Sequence, residues 1–143
     1  YIHSRVRFEE GAPERDRPLA GQSPYLVNAG LFYQHDDNGI SASLLYNRIG
    51  KRIESVGVPM QNQDEDIPDI YEMPRNSLDL TFSKKIGKIV EIKAGIQDIL
   101  NSKVEYKQFV KLTDDKGGKS EREQLIRSYR PGVDINIGVS LRF

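Results

Sequence analysis

Residues 133–143 read VDINIGVSLRF, and every second residue of this stretch, from Val133 to Phe143, is apolar. Successive side chains on a β-strand point to opposite faces, so the stretch predicts a strand with one apolar and one polar face. The apolar face ends on the aromatic ring of Phe143. A strand that continues to the last residue of a chain indicates a sheet without a loose edge, which is typical of a closed β-barrel.

Other segments upstream show the same alternation, and they cover residues 25–34, 40–47, 75–83 and 90–97. The segment Tyr1–Glu9 fits the pattern less well and is interpreted as a first strand. Asn38-Gly39 separates two of the strands, and Asn-Gly is among the strongest hairpin signals. The sequence therefore predicts an all-β fold with six antiparallel strands and no helix.

Short and long connections alternate between the predicted strands. Residues 35–39 and 84–88 form short turns, whereas the long loops cover residues 10–24, 50–74 and 99–132. Outer-membrane barrels have short periplasmic turns and long extracellular loops, and a soluble sandwich has no reason to sort its loops in this way. The pattern therefore favours an up-and-down transmembrane β-barrel.

Aromatic residues mark both ends of the predicted apolar face. If the short turns are periplasmic, Tyr33, Phe82 and Phe143 fall at the lower level and Tyr25 and Tyr46 at the upper level. Two aromatic girdles on either side of an aliphatic band are typical of barrels at the two membrane interfaces. Aromatic residues also favour strands in general, but that preference does not explain their shared level.

The long loops contain some local structure of their own. Residues 51–58 are predicted to continue the preceding strand beyond the membrane, and residues 59–74, with three prolines, are predicted to be irregular. Residues 104–112 and 121–129 flank a glycine-rich turn at 114–118 and predict a β-hairpin. The last long loop is thus interpreted as the water-exposed tip of the final hairpin.

Composition narrows the functional classes. The chain of 143 residues holds 21 basic and 21 acidic residues, so no excess of positive charge points to nucleic acid. It has no cysteine, which excludes disulfides, zinc-thiolate sites and thiol nucleophiles within it. No apolar stretch reaches the roughly 18 residues of a transmembrane helix.

Residues that could carry chemistry show no catalytic or metal-binding pattern. The loop 50–74 holds an acidic cluster without the spacing of a calcium-binding loop, and we interpret it as solvated: Asp64, Glu65, Asp66, Asp69 and Glu72. His35 lies in a turn far from His3, and the residues around Gly117 lack the pattern of a phosphate-binding loop. The sequence therefore predicts neither an enzyme nor a metal or cofactor site.

Polar residues with charges of both signs alternate with the apolar ones on the strands. They are the candidate lumen-facing residues Asp79, Glu91, Lys93, Gln97, Asp134, Asn136 and Arg142. Such residues can pair across a sheet, hold a plug inside a barrel or line a water-filled channel. The sequence leaves these three roles open.

Several segments together resemble one protein family. The segment RPLAGQSPYLVNAGL at residues 17–31 resembles the start of a late barrel strand in TonB-dependent outer-membrane receptors. QDILN at residues 97–101 resembles the segment that leaves their penultimate strand. Residues 130–143 are similar to their closing strand and its terminal aromatic residue.

The resemblance implies a barrel of 22 strands with an N-terminal plug, in the outer membrane of a Gram-negative cell. Residues 1–143 would be its C-terminal segment, with the C-terminus at the periplasmic side. Transport would require the plug, the rest of the barrel and contact with TonB, all outside this chain, and a surface lipoprotein is a further expected partner. The barrel-assembly machinery would recognise the closing strand through Ile137, Val139, Leu141 and Phe143.

Two other classes of protein fit the alternation. A soluble antiparallel β domain would turn the same apolar face inwards and act as a binding module. An outer-membrane barrel could also serve as a scaffold or an adhesin. Alternation alone does not say which face meets water, so these alternatives stay open.

Overall fold

A computed structural model of the chain describes residues 4–7, 17–58, 67–113 and 118–142. Within these ranges the protein consists of β-strands and connections, without a helix, and its strand pairs are antiparallel. The all-β antiparallel class predicted from the sequence is therefore confirmed. The strands are β1 (Leu26–His35), β2 (Ile40–Ile49), β3 (Arg52–Ser55), β4 (Ile70–Glu72), β5 (Arg75–Ile86), β6 (Val90–Gln97), β7 (Val104–Thr113), β8 (Lys119–Tyr129) and β9 (Asp134–Leu141).

The strands form two separate sheets. One has the order β1-β2-β5-β6-β9 and the other the order β3-β4-β7-β8. The chain divides accordingly into two compact units, which alternate along the sequence: Tyr1–Leu26, Ile49–Pro74 and Lys103–Tyr129 in the first, and Val27–Arg48, Arg75–Ser102 and Arg130–Phe143 in the second. The short turns thus belong to the second unit, and the long connections belong almost entirely to the first.

The five-stranded sheet has one apolar and one polar face. In its register Ala94 lies opposite both Phe82 on β5 and Ile137 on β9. Residues directly opposite one another share a face, so the apolar positions of these strands form continuous rows. Hydroxyl groups mark the other face, where the Oγ atoms of Ser41 and Ser83 lie 2.7 Å apart.

Short turns connect neighbouring strands at one end of this sheet. Gly39 and Gly87 have φ angles of 59° and 61°, which favour glycine because a side chain is strained there. At Gly39 an added Cβ would also lie 3.0 Å from the carbonyl oxygen of Lys85. Strand β5 extends to Ile86, so the turn that the sequence placed at residues 84–88 is shorter than predicted.

A tight corner follows β6 at the opposite end of the sheet. Asp98 and Asn101 have φ angles of 53° and 43°, a left-handed conformation that asparagine and aspartate tolerate better than other side chains. The amide of Ile99 donates to the carbonyl oxygen of Leu78 at 2.8 Å. The side chain of Asn101 accepts from the amide of Gly132 at 3.1 Å, which ties the corner to the start of β9.

The four-stranded sheet contains the predicted hairpin of residues 104–112 and 121–129 as β7 and β8. A bulge between Tyr106 and Lys107 shifts the register of these two strands. The buried hydrophobic side chains among the described residues all belong to this unit, and they are Ile53, Val104 and Tyr106. The unit therefore has a small core of its own.

Several expectations from the sequence were wrong. The described residues hold nine strands rather than six, because four strands, β3, β4, β7 and β8, form inside the long connections, whereas the predicted first strand is not among the nine. Residues 51–58 do not continue β2, since β3 pairs with β4 in the other sheet. Residues 59–74 are not irregular throughout, because they contain β4, and residues 59–66 lie outside the described ranges. Residues 4–7 are the described part of the predicted first strand. Within them, Val6 forms an isolated antiparallel β-bridge with Arg17.

The five-stranded sheet is open, with β1 and β9 at its edges. Closure of the sheet into a barrel is not observed among the described residues. No helix in the described part of the chain has the length and apolar character needed to cross a membrane.

Candidate functional site

The apolar face of the five-stranded sheet is largely exposed. Leu31 on β1 is 72% exposed, and Ile137 and Val139 on β9 are 76% and 63% exposed. Folded monomers rarely leave so continuous an apolar surface in contact with water. The face is therefore a candidate surface for contact with another apolar phase.

Three of the four residues proposed as an assembly signal lie on this face. Ile137 and Val139 are opposite Ala94 and Ile92, and Leu141 is opposite Val90. Every described residue of β9 is exposed. Phe143 lies outside the described residues, and recognition by an assembly machinery stays a prediction.

The predicted aromatic girdles are placed only in part. Phe82 lies on the apolar face, and Tyr33 shares that face by its odd-numbered alternation on β1. The hydroxyl group of Tyr46 donates to Oδ1 of Asn76 at 2.8 Å, so this ring has a polar partner at one end. Tyr25 belongs to the other compact unit, where its carbonyl oxygen accepts from the amide of Gly50. The existence of two girdles stays a prediction.

The candidate lumen-facing residues share the polar face of the sheet. Gln97 lies opposite Asp134, and Asn136 lies opposite Gly95, where an added Cβ would be 2.7 Å from the amide oxygen of Asn136. Oε2 of Glu91 lies 3.5 Å from Nζ of Lys93. The same oxygen lies 3.7 Å from Nη2 of Arg142, so one carboxylate bridges two cations.

Asp79, another of the seven candidate lumen-facing residues, lies on β5 near the other end of the polar face. Its Oδ1 accepts from the amide of Asp98 at 2.8 Å, which holds the corner after β6. The carboxylate of Asp98 also forms an ion pair with Arg75. The structure thus brings the seven residues to one face, where Glu91 and Arg142 pair across β6 and β9, and their exposure to a lumen stays a prediction.

A shallow trough of 450 Å³ lies on the polar face. Its walls carry hydroxyl groups that pair across β2 and β5, including Ser43 and Thr81 at 2.6 Å. Phe32 contributes an aromatic ring that is 77% exposed. The sequence analysis did not single out Phe32, although its even-numbered position on β1 indicates that it lies on the polar face. The trough can form hydrogen bonds with a polar ligand or with a covering segment.

The acidic cluster in residues 50–74 was interpreted as solvated, and this is wrong for its described members. Glu72 is 8% exposed, and its Oε2 lies 2.6 Å from Nη2 of Arg52. Asp69 is half-buried and accepts from the amide of Gly57 at 2.8 Å. The other members, Asp64, Glu65 and Asp66, lie outside the described ranges. Where side chains are described, no group of three or more histidines and carboxylates is arranged to hold a metal ion.

Histidines contribute no further candidate site. His35 lies at the first short turn, where its Nδ1 accepts from the amide of Asn38 at 3.3 Å. This contact holds the turn in place. His3 lies outside the described residues.

The four-stranded sheet combines cations with aromatic rings. Nζ of Lys51 lies 4.0 Å from the ring centre of Tyr71 and 3.8 Å from that of Phe109. Burial lowers the pKa of Lys51, although the charges of Glu121 and Glu123 act in the opposite direction. Such contacts stabilise a cation beside a ring, most strongly where water is excluded.

A mixed row crosses the four strands of this sheet. Arg52 lies opposite Glu72, Glu72 opposite Tyr106, and Tyr106 opposite Arg127. The guanidinium of Arg127 lies 4.2 Å from the ring centre of Tyr106. Burial raises the pKa of Tyr106, and burial with the charge of Asp69 raises that of Tyr71. These contacts satisfy charged groups within the sheet.

Comparison with known proteins gives no neighbour for this arrangement. No family model, no curated protein and no solved structure matches the chain. The functional argument therefore depends on the residues and on the geometry of the two sheets.

Proposed function

We propose that the five-stranded sheet is part of the wall of a transmembrane β-barrel in a Gram-negative outer membrane. The observation that carries this proposal is the exposed apolar face, which extends from β1 to β9 with Leu31 and Ile137 among its most exposed residues. In a bilayer this face contacts acyl chains. Acyl chains in place of water at this face remove the free-energy cost of exposing the apolar rows.

The polar face supports the same proposal. A membrane barrel alternates apolar side chains towards lipid with polar side chains towards its interior. The bridged charges of Glu91, Lys93 and Arg142 fit an interior that contains water or a plug. Charges on the lipid side would be costly, and the ion pairs lie on the other face.

The connections support an orientation for the barrel. The turns between β1 and β2 and between β5 and β6 contain four and three residues, respectively. The connections at the other ends of these strands are long and contain the strands of the second sheet. Short periplasmic turns and long extracellular loops are typical of outer-membrane barrels, so we assign the short turns to the periplasmic side.

The open edges support a larger barrel. β1 and β9 end the sheet with backbone donors and acceptors that need partners inside a membrane. Further strands of the same barrel supply such partners in our proposal. Together with the resemblance of residues 17–31, 97–101 and 130–143 to TonB-dependent receptors, this favours the C-terminal part of a 22-stranded transporter that imports a ligand. A plug inside the barrel and contact with TonB follow from that assignment.

Extraction of membranes tests the location. We expect the intact protein to stay in outer membranes washed with urea or carbonate and to dissolve only in detergent. Added protease on intact cells should cleave within residues 99–132 and should spare residues 84–88 until the outer membrane is opened. Release without detergent would favour the soluble β domain and contradict the proposal.

Deletion of Phe143 tests the assembly role of the closing strand. The variant should be synthesised normally and should yield less inserted barrel, because the strand loses its terminal aromatic residue. Deletion of Arg142, which lies on the other face, is unsuitable as a control since it shifts the terminus, so Arg142→Gln serves instead. Normal insertion after deletion of Phe143 would contradict the assembly role.

A further inference from the structure

Lys84 is a charged residue within the apolar face of the five-stranded sheet. In the register of the sheet it lies opposite Ile92, which in turn lies opposite Val139. Its neighbours on the same face of β5 are Phe82 and Ile86. A lysine in this position keeps its aliphatic stem along the apolar surface and extends its ammonium group towards a polar boundary.

The ammonium group of Lys84 reaches the turn between β1 and β2. Its Nζ donates a hydrogen bond to the carbonyl oxygen of Asn38 at 2.7 Å. Among the residues whose side chains are described, no carboxylate forms an ion pair with this group. An ammonium group carries three donors, so the charge and two donors stay open to an anion.

We propose that Lys84 binds the phosphate of an anionic phospholipid in the leaflet that faces the short turns. This inference rests on the proposed function, because only a sheet embedded in a membrane presents this face to lipid. The exposed side chains of Ile86 and Val139 offer an apolar surface to the acyl chains of the same molecule. Charge complementarity and the position beside a turn favour a headgroup over any partner that lacks negative charge.

The next residue along the chain offers a matched control. Lys85 carries the same charge at nearly the same height on β5, but it lies opposite Glu91 on the polar face. A general attraction of positive charge for an anionic surface would involve both lysines. A site on the lipid-facing side involves Lys84 alone.

Quenching by brominated lipids measures this preference. The intact protein, labelled with a fluorophore through Phe82→Cys on the same face of β5, is reconstituted in phosphatidylcholine vesicles that contain phosphatidylglycerol as the smaller component. Bromine is placed on the acyl chains of either lipid. We expect phosphatidylglycerol to be preferred about fivefold at this position, as one basic residue near a membrane surface allows. Lys84→Gln should abolish the preference, whereas Lys84→Arg and Lys85→Gln should retain it.

The outcomes separate the inference from the function on which it rests. A preference that survives in Lys84→Gln, or that falls equally in Lys85→Gln, would overturn the headgroup site and leave the membrane location intact. Competition by inorganic phosphate at the same concentration as the lipid would assign the site to free phosphate and also overturn it. Absence of quenching by both brominated lipids would contradict the membrane location itself.

Discussion

The two sheets of the molecule differ in whether their described residues include buried hydrophobic side chains. In the four-stranded sheet Ile53 and Val104 are 1% and 3% exposed, whereas Leu31 and Ile137 in the five-stranded sheet are more than 70% exposed. Both sheets are antiparallel, and each contains strands of ten or more residues. Alternation therefore decides which side chains share a face, and a different property decides what covers the face.

That property is the placement of charged side chains in each sheet and the contacts that they form. The four-stranded sheet packs cations against rings, as at Lys51, and pairs Glu72 with Arg52 close to its core. Such contacts keep a sheet stable in water because its polar groups are satisfied beside a small buried core. In the five-stranded sheet the ion pairs lie on one face, and the other face is left for an apolar environment.

Truncation of the buried Ile53 should have a larger effect on stability than the other changes proposed below. Ile53→Ala should destabilise the four-stranded sheet by about 2–5 kcal/mol, because it opens a cavity at a buried position. Hydrogen exchange of the amides in β3, β4 and β7 measures this loss. Ile137→Ala is the control, and its effect should be much smaller because an exposed side chain leaves no cavity. Equal losses in the two variants would contradict the contrast between the sheets.

The next effect concerns the two faces of one strand. Ile137→Arg should impair folding into bilayers by roughly 2–4 kcal/mol, the cost of arginine on the lipid face near the midplane. Asn136→Arg should be tolerated, since its side chain lies on the polar face. The yield of folded, inserted protein measures both variants. Equal tolerance would remove the assignment of the apolar face to lipid.

A smaller effect should follow when the buried ion pair loses its charge. Glu72→Gln should destabilise the four-stranded sheet by about 1–3 kcal/mol, because Arg52 loses its charged partner in a partly buried site. Glu123→Gln is a matched control: Glu123 pairs with Lys107 at 2.6 Å but is half-exposed, so its loss should have a smaller effect than the loss of Glu72. Denaturant unfolding monitored through amides of this sheet compares the two. A larger effect at Glu123 would contradict the distinction.

The smallest effect is a loss of stability in alkaline solution. The pKa values of Tyr71 and Tyr106 are raised above 10.0 in the folded protein. Their contribution to stability is therefore complete below pH 10.0 and is lost as the pH rises through the folded-state values, since the unfolded chain releases its protons first. Tyr71→Phe should lose less stability over this window. An identical alkaline loss in the variant would show that Tyr71 does not contribute.

Much of the five-stranded sheet could be predicted from the sequence, because its strands alternate over eight or more residues. The predicted segments 25–34 and 90–97 correspond to β1 and β6 within one residue at each end. The period of two also predicted that Asp134 and Asn136 lie on one face of β9 and that Ile135 and Ile137 lie on the other face. Placement of the candidate polar residues on one face was thus within reach of the sequence.

The short strands β3 and β4 could not be predicted from the sequence. β3 and β4 contain four and three residues, which is too few for a period to be recognised, and their pairing with each other joins segments that are separated in the chain. The burial of Glu72 depends on that pairing, because it places the carboxylate beside Arg52. The sequence does not reveal these pairing partners. The acidic cluster was therefore interpreted as solvated.

Quenching by lipid-borne quenchers determines which face of the five-stranded sheet contacts lipid. Fluorophores attached through Ile137→Cys and Asn136→Cys report on neighbouring residues of β9 that point to opposite faces. For the intact protein in bilayers, we predict strong quenching at position 137 and little at position 136. Equal and weak quenching at the two positions would contradict the assignment of the five-stranded sheet to a membrane barrel.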